Sequence, residues 1–538
     1  MKMKIRAKIG LVFEHWLFPS ASAIWSCCFL FFAAFSFAQT PSQESGAAVD
    51  DAAEKYARVK ELLAGYLEND LQIQKYMITA QSKALSLDST KISNGISVSL
   101  STGEMSITTD TGSNRKITVS PNVKIAAPKA QDFSLSATVP ITITENEKSV
   151  NNGSVSATIG LITGASKQAK VNVIEAERAL LEAERAVKDR AVSAEKDFYT
   201  KLKTLYNYAV SVLKAKDDLF DDELDLRVLE VQGYSKTSAS YRQKKLKVQS
   251  DRRDVQEKQR LLERETQIFA KKCGFEFVRS SMENDEKKFD PVKAGEEAYQ
   301  QAIAFLPDSV PAERKDEVNI FKFKKEHFTE IEQALWNKHI GELKREAAYK
   351  MTLKATAEYK LNSSQSHYDD LGGKLTWAWR GITASGGMYF PLGTNLFDNS
   401  STIYNLQKND SPYFQFSLGF VLNDWKLASI TLAQEKLDAA LEDNAIAYAE
   451  DNYESEVMSK VSSFHDIKWN QRSYKEEYAT YVQLADDMEK WLKQGIVTEN
   501  DYLDALNNKE KTRINMLITD IDLLIYNSET KLLFHEDE

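Results

Sequence analysis

Two stretches of this chain contain neither glycine nor proline, and they limit its fold more than anything else in it. Ala165–Gln232 runs for 68 residues and Asp424–Gln494 for 71. At about 1.5 Å per residue, either one as a helix is a rod of roughly 100 Å. A string of compact domains needs turn residues every dozen positions or so. Instead, the ten prolines (19, 41, 121, 128, 140, 291, 307, 311, 391, 412) all avoid Ile141–Asp290 and Tyr413–Glu538. Each rod ends on a glutamine and then a glycine, Gly233 and Gly495, 262 residues apart. Each glycine is followed by another helical run, Thr237–Lys272 and Asn500–Leu533. A rod reversed by one glycine turn is a coiled-coil hairpin. Ala169, Val173, Ala176, Leu180, Ala183 and Val187 supply its alternating steps of four and three.

The segments before the rods also come in two similar sets. Helical Asp51–Leu87 leads into strand-like pieces near 92–110, 115–126, 132–145 and 153–162. Helical Glu313–Leu353 leads into others near 353–361, 373–379, 383–390 and 412–422. Self-similarity at a fixed offset points to duplication. The expected organisation is therefore a signal peptide over 1–38, a disordered segment over 39–50, a first repeat over 51–274, a linker over 275–311 and a second repeat over 312–538. The strand-like pieces have period two. Ile96, Val98 and Leu100 alternate with serine, and Phe414, Phe416 and Leu418 alternate with Gln415 and Ser417. One apolar face and one small-polar face suit a strand between lipid and a watery lumen, and also one side of a soluble sandwich. Trp377, Trp379, Tyr389, Phe390, Tyr413 and Trp425 are candidates for an aromatic girdle at a membrane interface. The strands of the first repeat have only Phe133 to offer. The fold class expected is mixed α and membrane β.

At the N-terminus, Lys2, Lys4, Arg6 and Lys8 precede the apolar run Ala21–Ala38, which ends Ser36-Phe37-Ala38. This pattern predicts an export signal cleaved after Ala38; a retained anchor is the other reading. The formal charge is −10 for the whole chain and becomes −13 without the signal, which argues against a nucleic-acid binder held by bulk positive charge. Cleavage removes Cys27 and Cys28 and leaves Cys273 alone, so no intramolecular disulfide is expected. No other segment reads as a transmembrane helix, so any span must be β. The six histidines are scattered, and no phosphate-binding, nucleophile-elbow or dinucleotide fingerprint occurs. No catalytic residue, cofactor or metal is expected.

With its signal peptide, two runs of helix, strands and long hairpin, and a glycine at each tip, the chain resembles the TolC-like outer membrane efflux proteins over nearly its whole mature length. The most specific match is Gly495-Ile496-Val497-Thr498-Glu499-Asn500-Asp501-Tyr502-Leu503-Asp504-Ala505, a glycine turn followed by a helix opening of the D-x-L-D-A type. Gly233-Tyr234-Ser235-Lys236-Thr237 is its counterpart in the first repeat. The resemblance implies a homotrimer, whose copies share one outer-membrane β-barrel and one periplasmic α-helical tunnel. It implies a passive exit duct of a tripartite efflux or type I secretion system, working with a periplasmic adaptor and an inner-membrane transporter, in outer-membrane lipid and without nucleic acid. It places Asp501 and Asp504 in two acidic rings at the periplasmic constriction. Taken alone, their i, i+3 spacing at a helix start also fits ordinary capping. Gly233, Ser235, Thr237, Gly495 and Thr498 would meet the adaptor, or serve simply as turn residues. The family's polar latch is not matched, because Leu492, Val497 and Ala239 stand at its positions; Lys236, Arg242 or Lys493 are candidate substitutes. Two alternatives remain. A periplasmic adaptor would carry one hairpin within paired lipoyl-like halves, and a non-transporting envelope spacer would use the same rods without a pore.

Overall fold

The computed structural model describes residues 56–102, 105–109, 115–144, 148–150, 152–279, 291–311, 318–348, 351–362, 368–393 and 411–535. The expected signal peptide and the disordered segment lie outside them. The chain divides into Met1–Arg58, described only at its last three residues, and Val59–Glu538.

In chain order the elements are α1 (Ala57–Glu68), α2 (Leu71–Ser93), β1 (Ser97–Ser101), β2 (Met105–Thr109), β3 (Arg115–Val119), β4 (Asn122–Ala127), β5 (Phe133–Thr138), β6 (Ile141–Ile143), β7 (Lys148–Val150) and β8 (Gly153–Ile162). Then come α3 (Ala165–Val231), α4 (Ala239–Lys272), α5 (Pro291–Phe305), α6 (Thr329–Ala347), β9 (Met351–Leu361), β10 (Asp370–Trp379), β11 (Ile382–Pro391), β12 (Tyr413–Phe420), α7 (Leu422–Lys493) and α8 (Glu499–Leu532). Both rods are single helices, α3 of 67 residues and α7 of 72.

Two expected boundaries shift. The first helix is broken at Asn69–Asp70, where the Asp70 carboxylate accepts the Gln72 N–H at 2.7 Å and starts a new helix. The same carboxylate accepts from Arg190 of α3, so the break is also tied to the rod. The expected helix over 313–353 is α6 preceded by two short 3₁₀ turns, and β9 begins at Met351.

The main core forms around the middle of α3. Phe198, Leu202, Leu205, Tyr206, Ala209 and Val212 are buried against Leu62 of α1, Leu262 and Phe269 of α4, Tyr299 of α5 and Ile514 and Ile521 of α8. Cys273 is buried in the same cluster, as a packed thiol. Nearer the strands, α2 packs on α3, α3 on α6 and α6 on α7. There Glu332 of α6 receives both Arg178 and Arg185 of α3, and the Arg178 guanidinium also covers the Trp336 ring at 5.0 Å. Burial alone would raise the Glu332 carboxyl. The two guanidiniums outweigh it and hold it down at about 2.

The strands form an eight-stranded antiparallel sheet in the order β1-β4-β5-β8-β9-β10-β11-β12. Four strands come from each half of the chain, joined where β8 pairs with β9. A second sheet, β2-β3-β6-β7, extends the strands of the first half past Pro121 and Pro140. Among the described residues the eight-stranded sheet is open: β1 pairs only with β4, and β12 only with β11.

Candidate functional site

The two helix reversals have the same construction. Gly233 and Gly495 take φ of +78° and +71°, the left-handed region that favours glycine. Tyr234 N–H donates to the Leu229 carbonyl at 3.1 Å, and Ile496 N–H to the Trp491 carbonyl at 2.9 Å, the six-residue bond of a Schellman turn. Past the glycines the two turns diverge. After Gly233, the Ser235 and Thr237 hydroxyls lie 2.7 Å apart, and Ser238 caps α4. After Gly495, Thr498 caps α8 in a reciprocal capping box: the Asp501 N–H donates to the Thr498 hydroxyl at 3.2 Å, and the Thr498 N–H to the Asp501 carboxylate at 2.8 Å. Gly233, Ser235, Thr237, Gly495 and Thr498 are all exposed.

The two aspartates therefore have different surroundings. The Thr498 hydroxyl and then its N–H lower the pKa of Asp501 below the usual carboxylate range. One turn on, Asp504 keeps an exposed edge and accepts from Asn508 at 3.0 Å. Loss of water on its α3 side, and then the charge of Asp217 there, raise the pKa of its carboxyl. Asp217 itself receives Asn507 and Lys511. Of the substitute latch residues, Lys493 pairs with Glu489 of its own helix at 2.7 Å.

At the other end, the registers sort the sheet into two faces. Val98 and Leu100 (β1), Val123 and Ile125 (β4), Leu135 and Ala137 (β5), Val155 and Ala157 (β8), Ala355 and Leu353 (β9), Leu375 and Trp377 (β10), Ala384 and Met388 (β11), and Phe416 and Leu418 (β12) all share one face. Leu100 is 77% exposed and Phe416 79%, so this apolar face stands open at both margins. The opposite face carries serine, threonine and charge. Its hydroxyl pairs span neighbouring strands: Ser136–Ser156 at 2.9 Å, Thr158–Thr356 at 3.0 Å and Ser385–Ser417 at 2.6 Å.

The expected girdle residues separate between these faces. Trp377 and Trp379 stack on the apolar face, and Trp379 meets Trp425 of α7 edge-on at 5.5 Å. Tyr389 and Tyr413 stand on the polar face instead, a correction to the expected grouping. Tyr389 is 2% exposed, stacks on Tyr413 at 5.2 Å and donates to Glu358 at 3.0 Å; Tyr413 donates to Asp370 at 2.9 Å. Lys360 Nζ lies 3.6 Å from the Tyr389 ring centre. The ring lies so close over Gly372 that a β-carbon there would be 2.2 Å from it. Sequence reasoning missed this cluster, although Lys354, Glu358 and Lys360 recur at even positions along β9. Among the described residues no His, Cys, Asp and Glu group is placed to hold a metal, and no helix is long and apolar enough to cross a membrane.

Comparison with known proteins gives two family matches: the TP096X N-terminal domain over residues 62–292 and the TP096X C-terminal domain over residues 313–537. No curated protein matches. Among solved structures, the chain is similar to a membrane protein from Pseudomonas aeruginosa (13% identity, 88% of this chain and 93% of that one, TM-score 0.41). It is similar to the outer membrane protein VceC of Vibrio cholerae (11%, 89% and 96%, TM-score 0.40). It is also similar to the MtrE outer membrane channel of Neisseria gonorrhoeae (11%, 88% and 88%, TM-score 0.42). By their descriptions these last two are an outer membrane protein and an outer membrane channel.

Proposed function

We propose that this chain, matched in its two halves to the two TP096X domains, is one protomer of a trimeric outer-membrane exit duct. The observation that carries this reading is the eight-stranded sheet with its two unlike faces. The apolar face is uncovered at both margins, the opposite face is hydroxylated and charged, and among the described residues both edges are unpaired. Such a sheet cannot stand open in hydrocarbon, because every unpaired N–H and C=O there costs several kcal/mol. Copies set edge to edge would close it, lipid outside and water within. The long helices continuing from the strands would form the periplasmic tunnel, and their order of elements, repeated in the two halves, is read as a duplicated protomer. An exported chain cleaved after Ala38 belongs to this reading.

The duct is passive, takes its energy and substrate from an inner-membrane transporter, and meets a periplasmic adaptor at the exposed tips around Gly233 and Gly495. Its gate is placed at the Asp501–Asp504 turn, where threefold assembly would set carboxylates in rings that favour cations. Asp504 is the stronger gate residue, since Asp501 already spends its carboxylate on capping Thr498. Trp377, Trp379, Trp425 and Phe390, which pairs with Leu371 on the apolar face, are the girdle residues that remain.

Planar-bilayer recording tests the reading. Purified trimer is expected to give cation-selective channels, with selectivity weakened in the Asp501→Asn, Asp504→Asn double variant. A trimer that opens no pore would sink the duct, and unchanged selectivity in the variant would remove the gate from this turn.

A further inference from the structure

From the strand order we infer that the closed barrel has twenty-four strands, eight from each copy, sealed where β12 of one copy pairs with β1 of the next. The inference rests on the trimeric reading above and fixes what that reading leaves open, the size of the barrel and the seam between copies.

Among the described residues, four strands of the sheet connect directly to helices of the wall: β1 follows α2, β8 precedes α3, β9 follows α6 and β12 precedes α7. The helices pack in that same lateral order, α2-α3-α6-α7. Between these strands lie two inserted hairpins, β4–β5 and β10–β11, paired on both sides through the sheet. They share its two faces with the other strands, Ile125 and Leu135 on the apolar side and Ser136 and Thr383 on the other. Nothing in their pattern marks them as loops outside a barrel.

Widths agree with this count. Four helices at ~10 Å take roughly 40 Å of wall per copy. Eight strands ~4.8 Å apart take about 38 Å untilted and about 50 Å at a usual barrel tilt, whereas four would take only half as much.

Direction and chemistry of the edges agree as well. Eight antiparallel strands are an even number, so β12 runs opposite to the β1 it would meet, and the ring closes without a parallel pair. Apolar side chains are at even positions on both edges, Val98 and Leu100 against Phe416 and Leu418. Setting Ser99 opposite Ser417 keeps every one of them on the lipid side. The helices next to these edges are bare along the same margins. On α2, Leu71, Ile78, Leu85 and Ile92 repeat every seven residues and are 75%, 67%, 71% and 71% exposed. On α7, Ile430 and Leu437, and Leu441 and Tyr448, repeat at the same interval and are likewise exposed. A second copy of this chain would cover the strand edge and the helix stripe together.

The test combines imaging of the full-length, detergent-extracted assembly with cross-linking. Ser99→Cys and Ser417→Cys are placed on separately tagged chains expressed together and treated with a short bis-thiosulfonate reagent, with the wild-type chain as control. The expected results are a covalent pair containing one chain of each tag, and a trimer image with twenty-four strands. A trimer image with twelve strands would overturn the inference and leave the duct standing. If a chain carrying both cysteines cross-links only to itself, in a monomer, each sheet closes alone, and both the seam and the trimer fall. Absence of a pore in the bilayer recording bears on the duct alone.

Discussion

α3 and α7 are nearly equal in length, start directly after a strand and end in the same glycine turn, but they bury very different numbers of side chains. Thirteen residues of α3 are buried, among them Phe198, Leu202 and Tyr206; in α7 only Ala449 and Ala485 are. The cause is position within the fold. α3 has α2, α4, α6 and α8 packed against it, whereas α7 has α6 and α8. Yet the surface of α7 is not wholly polar, since Leu427, Leu437, Leu441, Tyr448 and Trp469 stand exposed on it. A helix with one covered face and one bare apolar face would be the margin of the proposed trimer. On that proposal, the two helices separate what one chain can stabilise alone from what a neighbour would cover.

The largest effect that would sharpen this contrast comes from truncating each helix in turn. Phe198→Ala should destabilise the chain by about 3–5 kcal/mol in any oligomeric state, because it opens a cavity in the core around α3. Leu441→Ala should leave the monomer almost unchanged and lower only the stability of the assembly. Denaturant unfolding of monomer and assembled protein, measured separately, checks both; equal losses from Leu441→Ala in the two states would break the comparison.

Next is the contact that ties α3 to α6. Glu332→Gln should cost roughly 2–4 kcal/mol at neutral pH. The Glu332 pKa is depressed to about 2 from an ordinary 4.5, so the stabilisation is fully present above about 4.5 and is lost as pH falls through 2. Unfolding curves of wild type and variant should therefore draw together between those limits; a constant gap would mean that the ion pair is not its source.

The smallest effect tests where the two helices agree. Gly233→Ala and Gly495→Ala should each cost about 1–2 kcal/mol, since both glycines have positive φ with open space around them. Thermal melts of the two variants should show similar shifts. A much larger shift at Gly495 would show that its tip is engaged in the assembly as well.

The rods and their tips were legible because helix interiors exclude glycine and proline, and a left-handed turn admits glycine at one position. The strand faces were legible by parity, and parity already separated Tyr413 from Phe414 and Phe416; grouping aromatics by type hid this. The helix break at Asp70 carries no glycine or proline, and depends on an N-cap that also pairs with Arg190, 120 residues away. Asp504 could be chosen by motif, but its crowding by Asp217 depends on how α8 lies along α3. The gaps dividing β3 from β4 and β5 from β6 were not visible in the periodicity, which runs on through them: Ile117 and Val119 are followed by Val123 and Ile125, and Leu135 and Ala137 by Val139, Ile141 and Ile143. Nor does one sequence show which apolar stripe is covered within the chain and which is left bare.

The pairing of β8 with β9 has a consequence for timing. Thr158 and Thr356 share a hydrogen bond across 198 residues, and everything between them, α3 through α6, must be threaded before the two strands meet. Closing so long a loop is slow compared with forming the hairpins on either side. Until residue 361 arrives, the first four strands have β8 exposed as an adhesive border, at the stage when the chain is least able to protect it. The helical rod that follows β8 fills this interval, because it can form from local contacts while the second half of the sheet is still on its way.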